Sequence, residues 1–181
     1  MEDNQITIQP EESYKIIRNS VLTAQAKVYT AVNTAMVQAY WEIGQEIHKA
    51  CGKNDRAEYG KKLLEYLSEQ LTNEFGKGFT VTNLKYMRQF YRAFPNRHTL
   101  CDDLSWSHYR LLMRVENEKT RSFYAEECVK SGWSVRQLER QIGTFYYERL
   151  LASQDKEAVE KEIGLPEKVE PKNIIRDPYV L

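Results

Sequence analysis

Apolar and polar positions alternate in steps of three and four along the first fifty residues, which is the periodicity of an amphipathic α-helix. Pro10 followed by Glu11 and Glu12 is typical of a helix N-terminus, because proline presets the backbone angle and acids favour the positive end of the helix dipole. No other proline occurs before Ala50, and the only glycine is Gly44. The pattern therefore predicts one helix of about forty residues, roughly 60 Å long.

A helix of this length is longer than one small domain can cover. Either it bends near Asn33 and folds its first half back onto its own domain, or part of it packs against another chain. Its apolar stripe is regular and rich in alanine, which lets two helices approach closely. We expect a homodimer, and two-fold pairing is the commonest arrangement. The predicted dimerisation residues are Tyr14, Ile17, Val21, Ala24, Val28, Ala31 and Ala35.

The rest of the chain predicts shorter helices and no strands, because no alternating period-2 run of useful length occurs. The pattern and the capping signals favour a second helix over 57–75, a third capped by Thr80 and ending before Pro95, a fourth capped by Ser105 or Ser107, a fifth over 118–130 and a sixth over 134–152. The fold class is all-α: a multi-helix domain over 1–152 with a long N-terminal helix and one or two helix-turn-helix units. The acidic, proline-containing tail over 153–181 is predicted to be a linker.

The charge is balanced overall but uneven locally. The chain has 26 basic and 26 acidic residues, which argues against a uniformly basic nucleic-acid binder but allows a local basic patch. Between Lys77 and Arg97 there are five basic residues and no acid. This segment is the strongest candidate for contact with nucleic acid.

The helix, glycine turn and helix over 57–94 match the arrangement that places a helix in the DNA major groove. Lys85, Arg88 and Arg92 lie at i, i+3 and i+7, hence on one face, and we expect them to contact phosphates. Asn83 is the candidate base reader, and Arg97 is a secondary contact. The alternative is that this face is only the solvated side of a helix whose other side is core.

A second helix–turn–helix candidate spans 118–150, with its turn at 131–133. Arg136 and Arg140 form an i, i+4 pair there and are secondary candidates for nucleic-acid contact, although Glu139 lies between them. Such a turn is more often architectural than functional.

No catalytic or cofactor-binding pattern emerges from the residues. His98, Cys101, His108 and Cys128 lack the paired spacing of zinc ligands, so we expect no metal. The E-x-K motif at Glu170 is interrupted by proline, which a paired catalytic strand does not tolerate. P-loop, nucleophile-elbow and dinucleotide glycine patterns are missing, so we expect no cofactor, no small-molecule substrate and no enzymatic activity.

Cysteine content and hydropathy predict a cytoplasmic protein. The three cysteines are an odd number and far apart, which is typical of reduced thiols. No apolar run approaches the roughly 20 residues that span a bilayer, and the acidic N-terminus is not a signal peptide. We therefore expect no membrane partner.

Several long motifs occur along the chain. The longest is LSWSHYRLLMRVENEKTRSFYAEECVKSGWSVRQLERQI, from Leu104 to Ile142, and the others are YWEIGQEI, FGKGFTVTNLKYMRQFY and RDPYVL. Together these motifs resemble the N-terminal domain of YhcG-like proteins. The resemblance implies an all-helical module that usually precedes a PD-(D/E)XK nuclease domain, with RDPYVL at the junction. The nuclease residues are then expected to lie outside this chain.

Together, the basic helix, the apolar stripe and the resemblance predict a non-catalytic, DNA-binding and dimerising module of a YhcG-like nuclease. A two-fold dimer would present two basic helices to one duplex. The alternative is a protein-interaction or recruitment module that binds no nucleic acid and uses the long first helix as its docking surface.

Overall fold

The computed structural model describes residues 10–52 and 57–153, and these ranges contain helices and no strand. The all-α prediction is confirmed. Two short 3₁₀ turns, Lys77–Phe79 and Arg97–Thr99, lie on either side of the third helix. The helices are α1 (Pro10–Cys51), α2 (Ala57–Phe75), α3 (Val81–Ala93), α4 (Trp106–Leu112), α5 (Glu118–Ser131), α6 (Val135–Gly143) and α7 (Tyr146–Ala152).

The first helix is continuous over 42 residues, which makes it about 63 Å long at 1.5 Å per residue. Its two halves have different surroundings. From Asn33 onward one face is buried against the other helices, whereas Tyr14, Ile17 and Val28 in the first half are 63–66% exposed. The alternative in which the first half folds back onto its own domain is therefore wrong.

Close packing joins α3 to the second half of α1. A Cβ atom at Gly44 would overlap the carbonyl oxygen of Met87, so a larger side chain at position 44 would push the two helices apart. The Trp41 indole N–H donates to the carbonyl oxygen of Phe94 at 2.7 Å, and its ring lies 5.2 Å from that of Tyr91. These contacts fix the position of α3 relative to α1.

An aromatic cluster forms the centre of the core where α1, α3 and α4 meet. The Phe90 ring lies 5.3 Å from Trp106 and 4.8 Å from Tyr109, and Tyr40 lies 5.0 Å from Trp106. All four side chains are at most 2% exposed. Rings packed in tilted and edge-on geometry hold the three helices together.

The predicted helix caps are largely confirmed. Thr80 accepts a hydrogen bond from the N–H of Asn83 at the start of α3, and Ser134 forms a capping box with Gln137 at the start of α6. Of the two candidates for α4, Ser105 is the cap, because its hydroxyl accepts from the N–H of His108. Short-range side-chain bonds therefore set these helix starts.

The prediction of a single sixth helix to Ala152 is wrong, because the chain breaks between α6 and α7. Phe145 adopts a left-handed conformation with φ of 53°. The Tyr124 hydroxyl donates to the carbonyl of Gln141 and accepts from the N–H of Tyr147, both at 3.2 Å, so it replaces helical bonds lost at the break. The break buries Tyr146, which is 1% exposed.

Among residues 10–52 and 57–153, no helix combines the length and the apolar character needed to cross a bilayer. The proposed linker over 154–181 and the motif RDPYVL lie outside the described residues. The domain boundary at 152/153 therefore stays a prediction.

Candidate nucleic-acid and self-association surfaces

Two sides of α3 differ sharply in chemistry. Leu84, Met87 and Phe90 are fully buried in the core. On the opposite side Lys85 and Arg92 are exposed, and Arg88 is half-buried at the edge of the packed face. The structure thus brings the three predicted phosphate-contacting residues onto one side of a fixed helix.

Charge pairing among the described residues does not neutralise the two exposed cations of this side, Lys85 and Arg92. Within the described part of the chain, no acid lies within ion-pair distance of Lys85 or Arg92. Glu65 of α2 approaches Lys61 of its own helix at 3.9 Å. The positive charge of Lys85 and Arg92 is available to a partner.

A further cation beside α3 was not predicted from the sequence. The Arg110 guanidinium of α4 lies 4.5 Å from the ring centroid of Tyr86, which is the geometry of a cation–π contact. This contact places a cation of another helix next to α3. No local sequence signal indicates this, because the two residues lie 24 positions apart.

The prediction that Asn83 lies on the exposed reading face is corrected by the structure. Asn83 is 4% exposed, and its side-chain Nδ2 donates to the carbonyl oxygen of Gly78. The side chain therefore holds the glycine turn against the start of α3. An asparagine next to a helix cap can either contact a base or bond to the backbone of the preceding turn, and only the packing distinguishes these two roles.

The structure places Arg97 apart from the basic side of α3. Its Nη1 lies 3.0 Å from a carboxylate oxygen of Glu42, and its Nη2 donates to the side chain of Gln38 at 2.9 Å. Arg97 thus ties the second 3₁₀ turn to α1, and an internal acid already balances its charge.

The secondary candidates Arg136 and Arg140 are both exposed on α6. This helix packs mainly against α4, and the turn before it is anchored by Trp133, which is 5% exposed. Arg136 and Arg140 thus lie on a different helix from the basic side of α3.

The predicted dimerisation stripe lies on the uncovered half of α1. Ile16, which is outside the predicted set, is 64% exposed beside it. Continuing the same three-four steps beyond Ala35 gives the polar residues Gln38, Glu42, Gln45 and Lys49, so the apolar face ends at Ala35. The seven stripe residues are all exposed: Tyr14, Ile17, Val21, Ala24, Val28, Ala31 and Ala35.

Of the four residues considered as metal ligands, His98 is exposed, and the other three have other partners or buried or partly buried surroundings. The His108 Nδ1 accepts from the backbone N–H of Ser105 at 3.1 Å, and its Nε2 lies 3.0 Å from the carbonyl oxygen of Trp133. Burial raises the pKa of the Cys128 thiol to about 12 and also raises that of Cys101, which favours inert thiols. Within residues 10–52 and 57–153, no three potential ligands converge.

Comparison with known proteins gives the relationships of the chain. A protein of Escherichia coli (strain K12) named "Putative nuclease YhcG" is 35% identical over 193 aligned positions, which cover 88% of this chain and 52% of the relative. The chain thus spans about half the length of that relative. No solved structure matches this chain. The family described as the DUF1016 N-terminal domain matches residues 16–149. The chain therefore belongs to this family, and it is a YhcG-like N-terminal domain.

Proposed function

We propose that this chain is a non-catalytic, cytoplasmic module that binds DNA through α3 and self-associates through α1, in the service of a YhcG-like nuclease. The observation that carries the proposal is the basic side of α3. Lys85 and Arg92 are exposed there, and neither forms an ion pair with an acid of the described residues. The name of the Escherichia coli relative supports a nucleic-acid context.

Electrostatics support phosphate contact by α3. Lysine and arginine that neutralise phosphates release condensed counterions, and this release drives much of the binding. Arg88 is half-buried, so less of its side-chain freedom remains to be lost on binding than for a fully exposed arginine. Arg136 and Arg140 remain secondary contacts, whereas Arg97 contributes little because Glu42 pairs with it.

The shape of the α1 stripe supports a second copy as its cover. An antiparallel pair centred between Leu22 and Thr23 places Tyr14 and Val21 each against an alanine, which keeps the volumes of the layers closer to one another. In a parallel pair, each residue would face its own equivalent, so tyrosine and alanine layers would differ greatly in volume. The antiparallel layers are Tyr14 with Ala31, Ile17 with Val28, and Val21 with Ala24.

In this proposal, the residues of this chain do not carry out the nuclease chemistry. The relative is nearly twice as long as the segment that matches here. Several surface acids pair with lysines of their own helix, as Glu46 does with Lys49 at 2.7 Å, and no three potential metal ligands converge within residues 10–52 and 57–153. We therefore propose that DNA incubated with this chain and magnesium stays intact.

The experiment is a fluorescence-anisotropy titration of a labelled duplex. Changing Lys85, Arg88 and Arg92 together to alanine should weaken binding at least about tenfold, because three phosphate contacts are lost. A control triple, Lys61→Ala, Lys62→Ala and Lys119→Ala, removes the same charge from exposed positions on α2 and α5. If both triple variants lose the same affinity for the duplex, the loss is explained by net charge alone. That result would contradict a specific role of α3.

A second candidate function is supported by the same uncovered stripe on α1. If another protein rather than a second copy covers the stripe, the chain acts as a recruitment module without DNA binding. Unchanged anisotropy of the duplex at high protein concentration, with a monomeric mass, would favour this candidate.

A further inference from the structure

The apolar stripe of α1 and the face that packs on the domain lie on opposite sides of the helix. Each of four stripe residues is followed nine positions later by a buried residue. At 100° per residue, nine positions correspond to 900°, which leaves a rotation of 180°. The pairs are Ala24 and Asn33, Val28 and Val37, Ala31 and Tyr40, and Ala35 and Gly44.

The contacts of the buried members confirm that they face the domain. Asn33 bonds to the backbone of Leu104, Tyr40 packs on Trp106, and Gly44 lies against Met87 of α3. A second copy on the stripe therefore lies across α1 from the helices of its partner's domain, although Arg97 of the second 3₁₀ turn reaches round α1 to Gln38 and Glu42. This holds whether the two α1 helices run parallel or antiparallel.

Lys85 and Arg92 of α3 point away from α1 as well. Gly44 packs against the backbone carbonyl of Met87 and the Cβ atom of Tyr91. From Met87, Lys85 and Arg92 lie about 160° and 140° around the helix, and from Tyr91 they lie about 120° and 100° around it. The side of α3 that carries Lys85 and Arg92 thus faces outward, on the far side of the domain from the stripe.

We propose that the self-associated protein holds two separate DNA duplexes, one on each outer side, and so bridges them. A two-fold operation at the stripe carries the outward basic side of one copy to the opposite side of the assembly. This differs from the arrangement in which two basic helices grip one duplex. The inference rests on the proposed function, because it needs both DNA binding by α3 and pairing through α1.

The test is a capture assay with the full chain. A biotinylated duplex is fixed to beads, protein is added, and a fluorescent duplex of the same sequence is offered as the second ligand. We expect the wild type to retain the second duplex in an amount close to the immobilised duplex. Changing Lys85 and Arg92 to alanine should abolish this retention.

A matched pair of variants separates bridging from simple binding. Val21→Glu with Val28→Glu places two acids in the stripe and should remove capture of the second duplex while leaving binding to the first. Thr23→Glu with Thr30→Glu adds the same charge at exposed positions on the other side of α1 and should capture as the wild type does.

Sedimentation of the complex in solution distinguishes the outcomes. Two duplexes for each pair of chains support bridging. One duplex for each pair of chains, with no capture of a second, would overturn the inference while leaving DNA binding and self-association intact. A monomeric complex, or no complex, would instead overturn the proposed function and the inference with it.

Discussion

Asn33 on α1 donates a hydrogen bond from its side-chain Nδ2 to the carbonyl oxygen of Leu104, 3.1 Å away and 71 residues later in the chain. Asn33 is only 6% exposed. It lies where α1 passes from its uncovered first half into the packed domain. This bond therefore ties the projecting part of the helix to the segment before α4.

Replacing Asn33 with alanine should destabilise the fold. The carbonyl of Leu104 would lose its partner in a buried place, which typically costs about 1–3 kcal/mol. Urea unfolding followed by tryptophan fluorescence measures the change in the free energy of unfolding. Asn19→Ala, at an exposed site on the same helix, is the control and should be neutral or slightly stabilising, since alanine favours helix. Equal stability of both variants would contradict the anchoring role of Asn33.

The buried ring of His108 should make stability depend on pH. Burial lowers the pKa of His108, although its hydrogen bond to the carbonyl of Trp133 opposes part of that shift. Because the unfolded state binds the proton more readily, stability should be constant above about pH 6.5 and fall as the pH drops below that value.

The measurement is the free energy of unfolding between pH 5 and 8. In His108→Gln, the free energy of unfolding should fall less below about pH 6.5 than in the wild type. In His98→Gln, at an exposed position in the second 3₁₀ turn, it should fall as in the wild type. If the decrease persists in full in His108→Gln, another group is responsible.

The sequence predicts most of this fold because most helix ends depend on nearby residues. Thr80, Ser105 and Ser134 each bond to a backbone N–H three positions later, so the capping signal is local. The break before α7 is different, because it depends on the hydroxyl of Tyr124 from another helix. Hydrophobic periodicity alone does not predict this hydrogen bond between two helices.

The candidate site is predicted less completely for the same physical reason. Helical spacing correctly places Lys85 and Arg92 on an exposed side of α3. It does not reveal that Asn83 is buried against the glycine turn, or that Arg97 pairs with Glu42. The burial of Asn83 and the ion pair of Arg97 depend on residues from other parts of the fold. The periodicity of one helix does not specify those neighbours.

Self-association through α1 predicts a concentration-dependent mass. Light scattering should give a mass approaching two chains for the wild type at micromolar concentration. Val21→Glu with Val28→Glu should give one chain with unchanged helix content, because two acids in the stripe have no partner and stay hydrated only in the monomer. Thr23→Glu with Thr30→Glu should keep the wild-type mass. A wild-type mass of one chain up to high micromolar concentration would contradict self-association.

The most direct test of the central claim is the salt dependence of DNA binding. If Lys85, Arg88 and Arg92 contact phosphates, a plot of log affinity against log salt should have a slope of roughly −2 to −3 from these contacts. The alanine triple should lose most of that slope while circular dichroism shows the same helix content. An identical slope in the wild type and in the triple variant would show that α3 is not the DNA-binding surface.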